Sequence, residues 1–247
     1  MQRIEAPYGA WEPASVTEVA SLFSPLCEPW WIAGGYAVEL AVGRAFRAHA
    51  DIDVLLLRED QLAAQRALAG WEWWAADPPG ALRPWAAGEI LPPGVHDIWC
   101  RTGPDAPWRV QLMLDEAQDG HWVSRRDPRV RRPLDTLGAA TPEGVPFLAP
   151  EVQLHYKAKA RRPKDEEDFT AVLPVLTAGQ HRWLAGTIEQ TYGPHPWAER
   201  LRGRPAYGGT RGPFSPPPTS PGTPPRPTAR TAGGPATSGP PPGTPRD

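Results

Sequence analysis

The alternation of apolar and polar positions changes along the chain, and each stretch predicts an element. Residues 15–26 read as an opening helix, and Trp30-Trp-Ile-Ala33 reads as a short buried strand that ends abruptly at Gly34-Gly35. Residues 36–42 supply the helix that should follow, with Gly43 where a left-handed helix stop is expected. Asp51-Ile-Asp-Val-Leu-Leu-Leu57 is the clearest strand, an aliphatic run with two aspartates at one end. Residues 60–69 read as a helix closed by Gly70. Strands then follow around 71–76, 95–101 and 109–114, set apart by turn-rich segments such as Asp77-Pro-Pro-Gly80. Further on the pattern is helical. Pro150 suits a first helical position for residues 151–160, and Asp165-Glu-Glu-Asp168 opens another helix. That helix repeats Phe169, Val172, Leu173 and Leu176, with Pro174 expected to kink or shorten it. Residues 181–191 predict a last helix. This order of elements points to an α+β fold: a mixed β-sheet flanked by helices, followed by a small helical region.

Composition adds three boundaries. From about Arg211 the chain is almost wholly Pro, Gly, Ser, Thr and Ala, a composition that cannot offset the entropy of ordering, so a disordered tail is expected. The expected organisation is an α/β core over 1–145, a helical region over 146–205 and the tail over 206–247. A formal net charge of −2 over 247 residues gives no support to a protein that coats nucleic acid through a global basic surface. Cys27 and Cys100 have no paired spacing, which supports neither a disulfide scaffold nor a cysteine-rich zinc site. No apolar run approaches the roughly 20 residues of a membrane span, and no signal-like run follows Met1, so a cytoplasmic protein is expected.

Asp51 and Asp53 are separated by one residue on a predicted strand, so both carboxylates project from one face. Two adjacent anions attract a hard dication such as Mg²⁺, which offsets their repulsion and can grip triphosphate oxygens at the same time. Alone, the pair also suits two solvated carboxylates at a strand end. Gly34-Gly35, between a strand and a helix just upstream, lets backbone N–H groups approach a phosphate at a helix start, although such a pair also makes an ordinary tight turn. The combination is narrower than either part.

The run Trp31-Ile-Ala-Gly-Gly-Tyr-Ala-Val-Glu39, then Gly43-Arg44, then Arg47-Ala-His49-Ala-Asp51-Ile-Asp-Val54, resembles the aminoglycoside 2″-O-nucleotidyltransferases and the lincosamide nucleotidyltransferases. Pro150-Glu-Val-Gln-Leu-His-Tyr-Lys-Ala-Lys159 and the stretch from Arg162 to Phe169 look like the helical region of many relatives. The resemblance implies a nucleotidyltransferase-type fold and transfer of a nucleoside monophosphate from ATP or another nucleoside triphosphate, with Mg²⁺. The acceptor it implies is a hydroxyl of a small aminoglycoside-like molecule, so antibiotic resistance is the implied role. It also implies that Gly34 and Gly35 cradle the triphosphate and that Asp51 and Asp53 bind the metal. Lys157 and Lys159 would meet phosphate oxygens, unless they are solvated positions on an amphipathic helix. Arg47 and His49 would orient the strand start or the nucleotide, while Arg162, Lys164, Asp165 and Asp168 suit a capping and ion-pair cluster.

One departure matters. The family has a third carboxylate on a later strand, and the aligned segment Trp108-Arg-Val-Gln-Leu-Met-Leu-Asp115 has Gln111 at its centre, which cannot take a proton. Asp97 and Asp115 are the candidate replacements. Asp97 is favoured, because a mid-strand carboxylate between Val95 and Ile98 is otherwise hard to explain. Two rival functions follow: transfer to RNA or protein, supported by the arginines of residues 125–132, and a non-catalytic nucleotide-binding module, supported by Gln111. The protein is expected to work as a monomer or homodimer.

Overall fold

The computed structural model describes residues 4–6 and 8–203, and the expected tail lies outside them. Strands β1 (Ile4–Ala6) and β2 (Gly9–Trp11) form a small antiparallel pair ahead of helix α1 (Val16–Phe23). Helix α1 is started by Ser15, whose hydroxyl accepts from the Glu18 N–H while the Glu18 carboxylate accepts from the Ser15 N–H, a reciprocal cap. Strand β3 (Trp30–Ala33) runs straight into α2 (Gly34–Val42), which stops at Gly43 with φ of 80° as the left-handed cap requires. Strand β4 (Asp53–Leu57) and helix α3 (Gln61–Ala67) come next. Four strands follow: β5 (Glu72–Ala76), β6 (Leu82–Pro84), β7 (Asp97–Arg101) and β8 (Val110–Gln118). Four three-residue strands come after them: β9 (His121–Val123), β10 (Arg131–Pro133), β11 (Gly138–Ala140) and β12 (Pro146–Leu148). The helical part comprises α4 (Pro150–Lys157), α5 (Pro163–Val172), α6 (Ala178–Tyr192) and α7 (Pro196–Arg202).

The strands build one mixed sheet in the order β11-β12-β3-β4-β8-β7-β5-β6, with β9 hydrogen-bonded to β8 and β10 to β9. The pairs β12–β3 and β4–β8 are parallel and their neighbours antiparallel, so the α+β reading and its mixed sheet hold. Alternation along β7 and β8 sorts the two faces. Ile98, Cys100, Val110, Leu112 and Leu114 are fully buried on one, while Asp97, Trp99, Gln111 and Met113 lie half-buried on the other.

Two apolar clusters support this frame. One lies on the sheet and includes Phe23, Ile32, Val54, Leu56 and Phe147; the other joins α4 to α7 through Leu154, Phe169, Leu184 and Trp197. Helix α2 belongs to both, with Ala37 and Ala41 in the first and Val38 in the second. Helix α5 ends at Val172, before Pro174. Strand β4 is shorter than predicted and begins at Asp53, because its partner β3 gives way to α2 after Ala33, the residue opposite Asp53. Asp51 therefore stands just ahead of the ladder. Among the described residues no helix is long and apolar enough to cross a membrane.

Candidate active site

The strand-to-helix turn and the aspartate strand meet at one point. Ala33 pairs with Asp53, so Gly34 follows directly beside the aspartate, with φ of 65°. A Cβ on Gly34 would overlap the Asp53 carboxylate, and one on Gly35 would overlap Arg47 and His49. Glycine is needed here both for its backbone conformation and for the room its absent side chain leaves. The Gly34 N–H donates to Gln153 Oε1 at 2.7 Å. No side chain caps α2 at Ala33, so the field of the helix start acts on the space around Asp53.

Asp53 holds its proton unusually strongly. Burial and then the neighbouring Asp51 raise its pKa from 3.8 to about 7, with Asp97 adding to the rise and Lys157 and Lys164 opposing it. Asp51, Asp53 and Asp97 line the same cleft. Gln111 pairs across the strands with both Asp53 and Trp99, and its Nε2 donates to Asp97 Oδ1 at 3.5 Å. Asp115 is fully buried instead, its Oδ2 accepting from Trp122 Nε1 and Tyr156 Oη, each at 2.7 Å. Of the two candidate replacements for the third carboxylate, Asp97 faces the cleft and Asp115 does not. Among the described residues no three His, Cys, Asp or Glu side chains converge closely enough to hold a metal ion by themselves. The Asp51–Asp53 pair still fits a hard dication, since a carboxyl kept protonated by burial and by a second anion gives up its proton when positive charge lies between them.

The basic residues of the cleft fall into two groups. On the helical side Arg47 grips Asp168 with Nε at 2.7 Å and Nη2 at 2.9 Å, and Lys157 Nζ lies 2.8 Å from the same carboxylate and 3.5 Å from Asp165. Arg162 binds Asp165 through Nε at 2.8 Å and Nη2 at 3.1 Å. Asp165 and Asp168 are fully buried, so these cations neutralise charges the fold has taken out of water. Lys157 lines the cleft, but it is held by these two aspartates and is not a solvated helix position. Lys159 is exposed and lies off the cleft. On the other side are Arg125 and Arg126, between β9 and β10, with Lys164 at the start of α5. Among the described residues Arg126 and Lys164 form no ion pair. Arg125 reaches only loosely toward Asp97, at 3.9 Å, and Asp115, at 3.8 Å, with its guanidinium over the Tyr156 ring.

The segment between α2 and β4 is fixed from below. Glu39 accepts from the Phe46 and Arg47 N–H groups at 2.8 and 3.1 Å, and His49 Nε2 stands 3.1 Å from the same carboxylate. The His49 ring packs on Tyr36 at 4.2 Å, and burial followed by the Arg47 charge lowers its pKa. His49 is thus a wall of the loop beneath Gly35.

Sequence reasoning passed over Gln153, Arg125, Arg126 and Tyr156 as cleft residues. Gln153 carried a usable signal, one helical turn before Lys157 on the same face of α4. Arg125 and Arg126 carried none. They were part of an arginine run whose other members go elsewhere: Arg129 to Asp127, Arg131 to Gln118 and Arg132 to Glu151.

No curated protein matches the sequence. Among solved structures, the chain is similar to ANT(2″)-Ia in complex with adenylyl-2″-tobramycin, at 16% identity and a TM-score of 0.47, over 71% of this chain and 97% of that one. It is also similar to the lincosamide antibiotic adenylyltransferase LnuA with lincomycin bound, at 15% identity and a TM-score of 0.46, over 65% and 96% of the two chains. Residues 15–72, which span α1, the Gly34-Gly35 turn and the aspartate strand, match the sequence model of the aminoglycoside-2″-adenylyltransferase family, in agreement with the resemblance read from those motifs.

Proposed function

We propose that this protein is a nucleotidyltransferase that moves a nucleoside monophosphate, AMP from ATP in the first instance, to a hydroxyl of a small antibiotic-like acceptor. The observation that carries the reading is Asp53, packed on Gly34 beside Asp51 with its pKa raised to about 7, in a cleft that also holds Arg126 and Lys164, which form no ion pair among the described residues. Asp51 and Asp53 would hold Mg²⁺, which when bound supplies positive charge against the triphosphate. Arg126 and Lys164, with Arg125, are the chain's own groups for the β- and γ-phosphates, because no carboxylate claims the first two. Lys157 instead keeps Arg47 and α5 in place through Asp168.

In the transfer the acceptor oxygen bonds to the α-phosphorus while the bond from that phosphorus to the β-bridging oxygen breaks, and pyrophosphate leaves with the electron pair. Asp97, held by Gln111, takes the hydroxyl proton. Positioning and charge stabilisation do most of the work in such transfers. A reaction that consumes nucleoside triphosphate suits a cytoplasmic enzyme.

The arginine run gives little support to an RNA acceptor, since Arg129, Arg131 and Arg132 are engaged within the fold. The rival that keeps a specific observation is the non-catalytic nucleotide-binding module, for which Gln111 speaks. Pyrophosphate release from the four nucleoside triphosphates with Mg²⁺, against tobramycin, lincomycin, RNA and the protein itself, separates these readings. The blank is Asp51→Asn with Asp53→Asn. Acceptor-dependent release absent from the double variant is expected, and nucleotide binding without any release would transfer the case to the binding module.

A further inference from the structure

The sheet face that carries the site does not end at Asp97. Cross-strand pairing sets Asp53 beside Gln111, Gln111 beside Trp99 and Trp99 beside Trp74, one continuous row over β4, β8, β7 and β5. Neighbouring strands lie about 4.8 Å apart, so Trp99 begins roughly 10 Å from the aspartate strand, the span of one sugar ring with its substituent. Trp99 and Asp97 are two residues apart on the same strand face.

Around Trp99 the residues are aromatic. Trp11, Trp108 and Tyr8 meet it edge-on at 5.1, 5.6 and 6.0 Å between ring centres. Trp11 and Trp108 are buried, while Trp99 and Trp74 stay half-exposed and Tyr8 is 43% exposed. The charges on this stretch are nearly balanced, with two arginines facing three carboxylates. Glu72 receives Arg101 at 2.8 Å, Glu18 receives Arg109 at 2.6 Å, and Glu12 lies 3.9 Å from Arg109. Arg101 also rests over the Trp108 ring at 4.5 Å. Beyond Asp97 this strip therefore offers ring surface and at most one unanswered negative charge.

We propose that Trp99 and Trp74 form the acceptor shelf, and that the acceptor is a hydroxylated ring compound with an apolar face and at most one positive charge. A polycation would need several unpaired carboxylates along the shelf, and Arg101 and Arg109 leave Glu72, Glu12 and Glu18 a single excess negative charge. A ring stacked on Trp99 directs a hydroxyl along β7 toward Asp97. This inference rests on the transferase reading and narrows its acceptor.

The test measures acceptor binding by calorimetry, apart from turnover, on the full chain with Mg²⁺ and a non-hydrolysable ATP analogue. Lincomycin serves as the single-amine probe and tobramycin as the polyamine. Lincomycin is expected to bind more tightly. Trp99→Ala should weaken it about tenfold with nucleotide affinity unchanged, and Trp99→Phe should recover most of the loss. If the Ala variant fails to fold, Trp74→Ala takes its place, with the same weakening expected. Tighter binding of tobramycin, or lincomycin binding indifferent to Trp99, overturns the shelf. Trp99-dependent lincomycin binding without pyrophosphate release keeps the shelf and removes the transferase reading, so the two failures can be told apart.

Discussion

The two basic groups of the cleft look alike in composition and differ in what answers them. Arg47, Lys157 and Arg162 face the buried Asp165 and Asp168, and their charge is used in joining α4, α5 and the loop before β4. Arg126 and Lys164 face the cleft with no carboxylate partner among the described residues. A cation already saturated by buried anions holds a fold together, and a cation left open is available for a ligand. Residue type alone does not separate the two groups; their partners do.

The largest effect should come from the carboxylate that both groups surround. Asp53→Asn is expected to lower acceptor-dependent pyrophosphate release by about a thousandfold or more while leaving the fold intact. Survival of activity would remove Asp53 from the reaction centre. Next is Asp168→Ala, which leaves Arg47 and Lys157 without the anion they share. Breaking a buried pair in this way costs about 3–5 kcal/mol, or a fall in melting temperature on the order of 10 °C. Arg126→Ala should do the reverse, leaving the melting temperature unchanged and raising the KM for nucleotide about tenfold. If Arg126→Ala destabilises and Asp168→Ala does not, the comparison is wrong.

A smaller effect follows from the pKa of Asp53. Its folded value, about 7, lies above its ordinary value of 3.8, so the folded state binds the extra proton between those values. Without metal, stability should therefore fall as pH rises from about 4 to about 7 and stay low above that. Thermal melts of the wild type and of Asp53→Asn check this: the substitution should flatten the decline, and Mg²⁺ should stabilise the wild type most at pH 8.

The first half of the site was legible because its signal is local. Gly34-Gly35, Gly43 and the Asp51–Asp53 spacing each dictate backbone geometry within a few residues, and the structure brings the glycine pair and the aspartates together. The helices from α1 to α6 were legible for the same reason, through apolar period and capping residues. Strands β9 to β12 were not, since three residues cannot display a period and two of them carry proline. Helix α7 was also missed, although His195 and Pro196 occupy its cap and first position. The pairing of Lys157 with Asp165 and Asp168 depends on how α4 meets α5, which neither helix encodes alone.

The strands that close off the sheet have a consequence for assembly. β6 and β11 end its main row and β10 ends its branch; each is three residues long, and Pro84 and Pro133 remove an amide donor from two of them. Among the described residues another chain finds no long, open edge of this sheet along which to add a strand. Where this sheet meets a second copy of itself or a misfolded neighbour, the encounter is left to side chains, and its short edges are poor templates for its own extension.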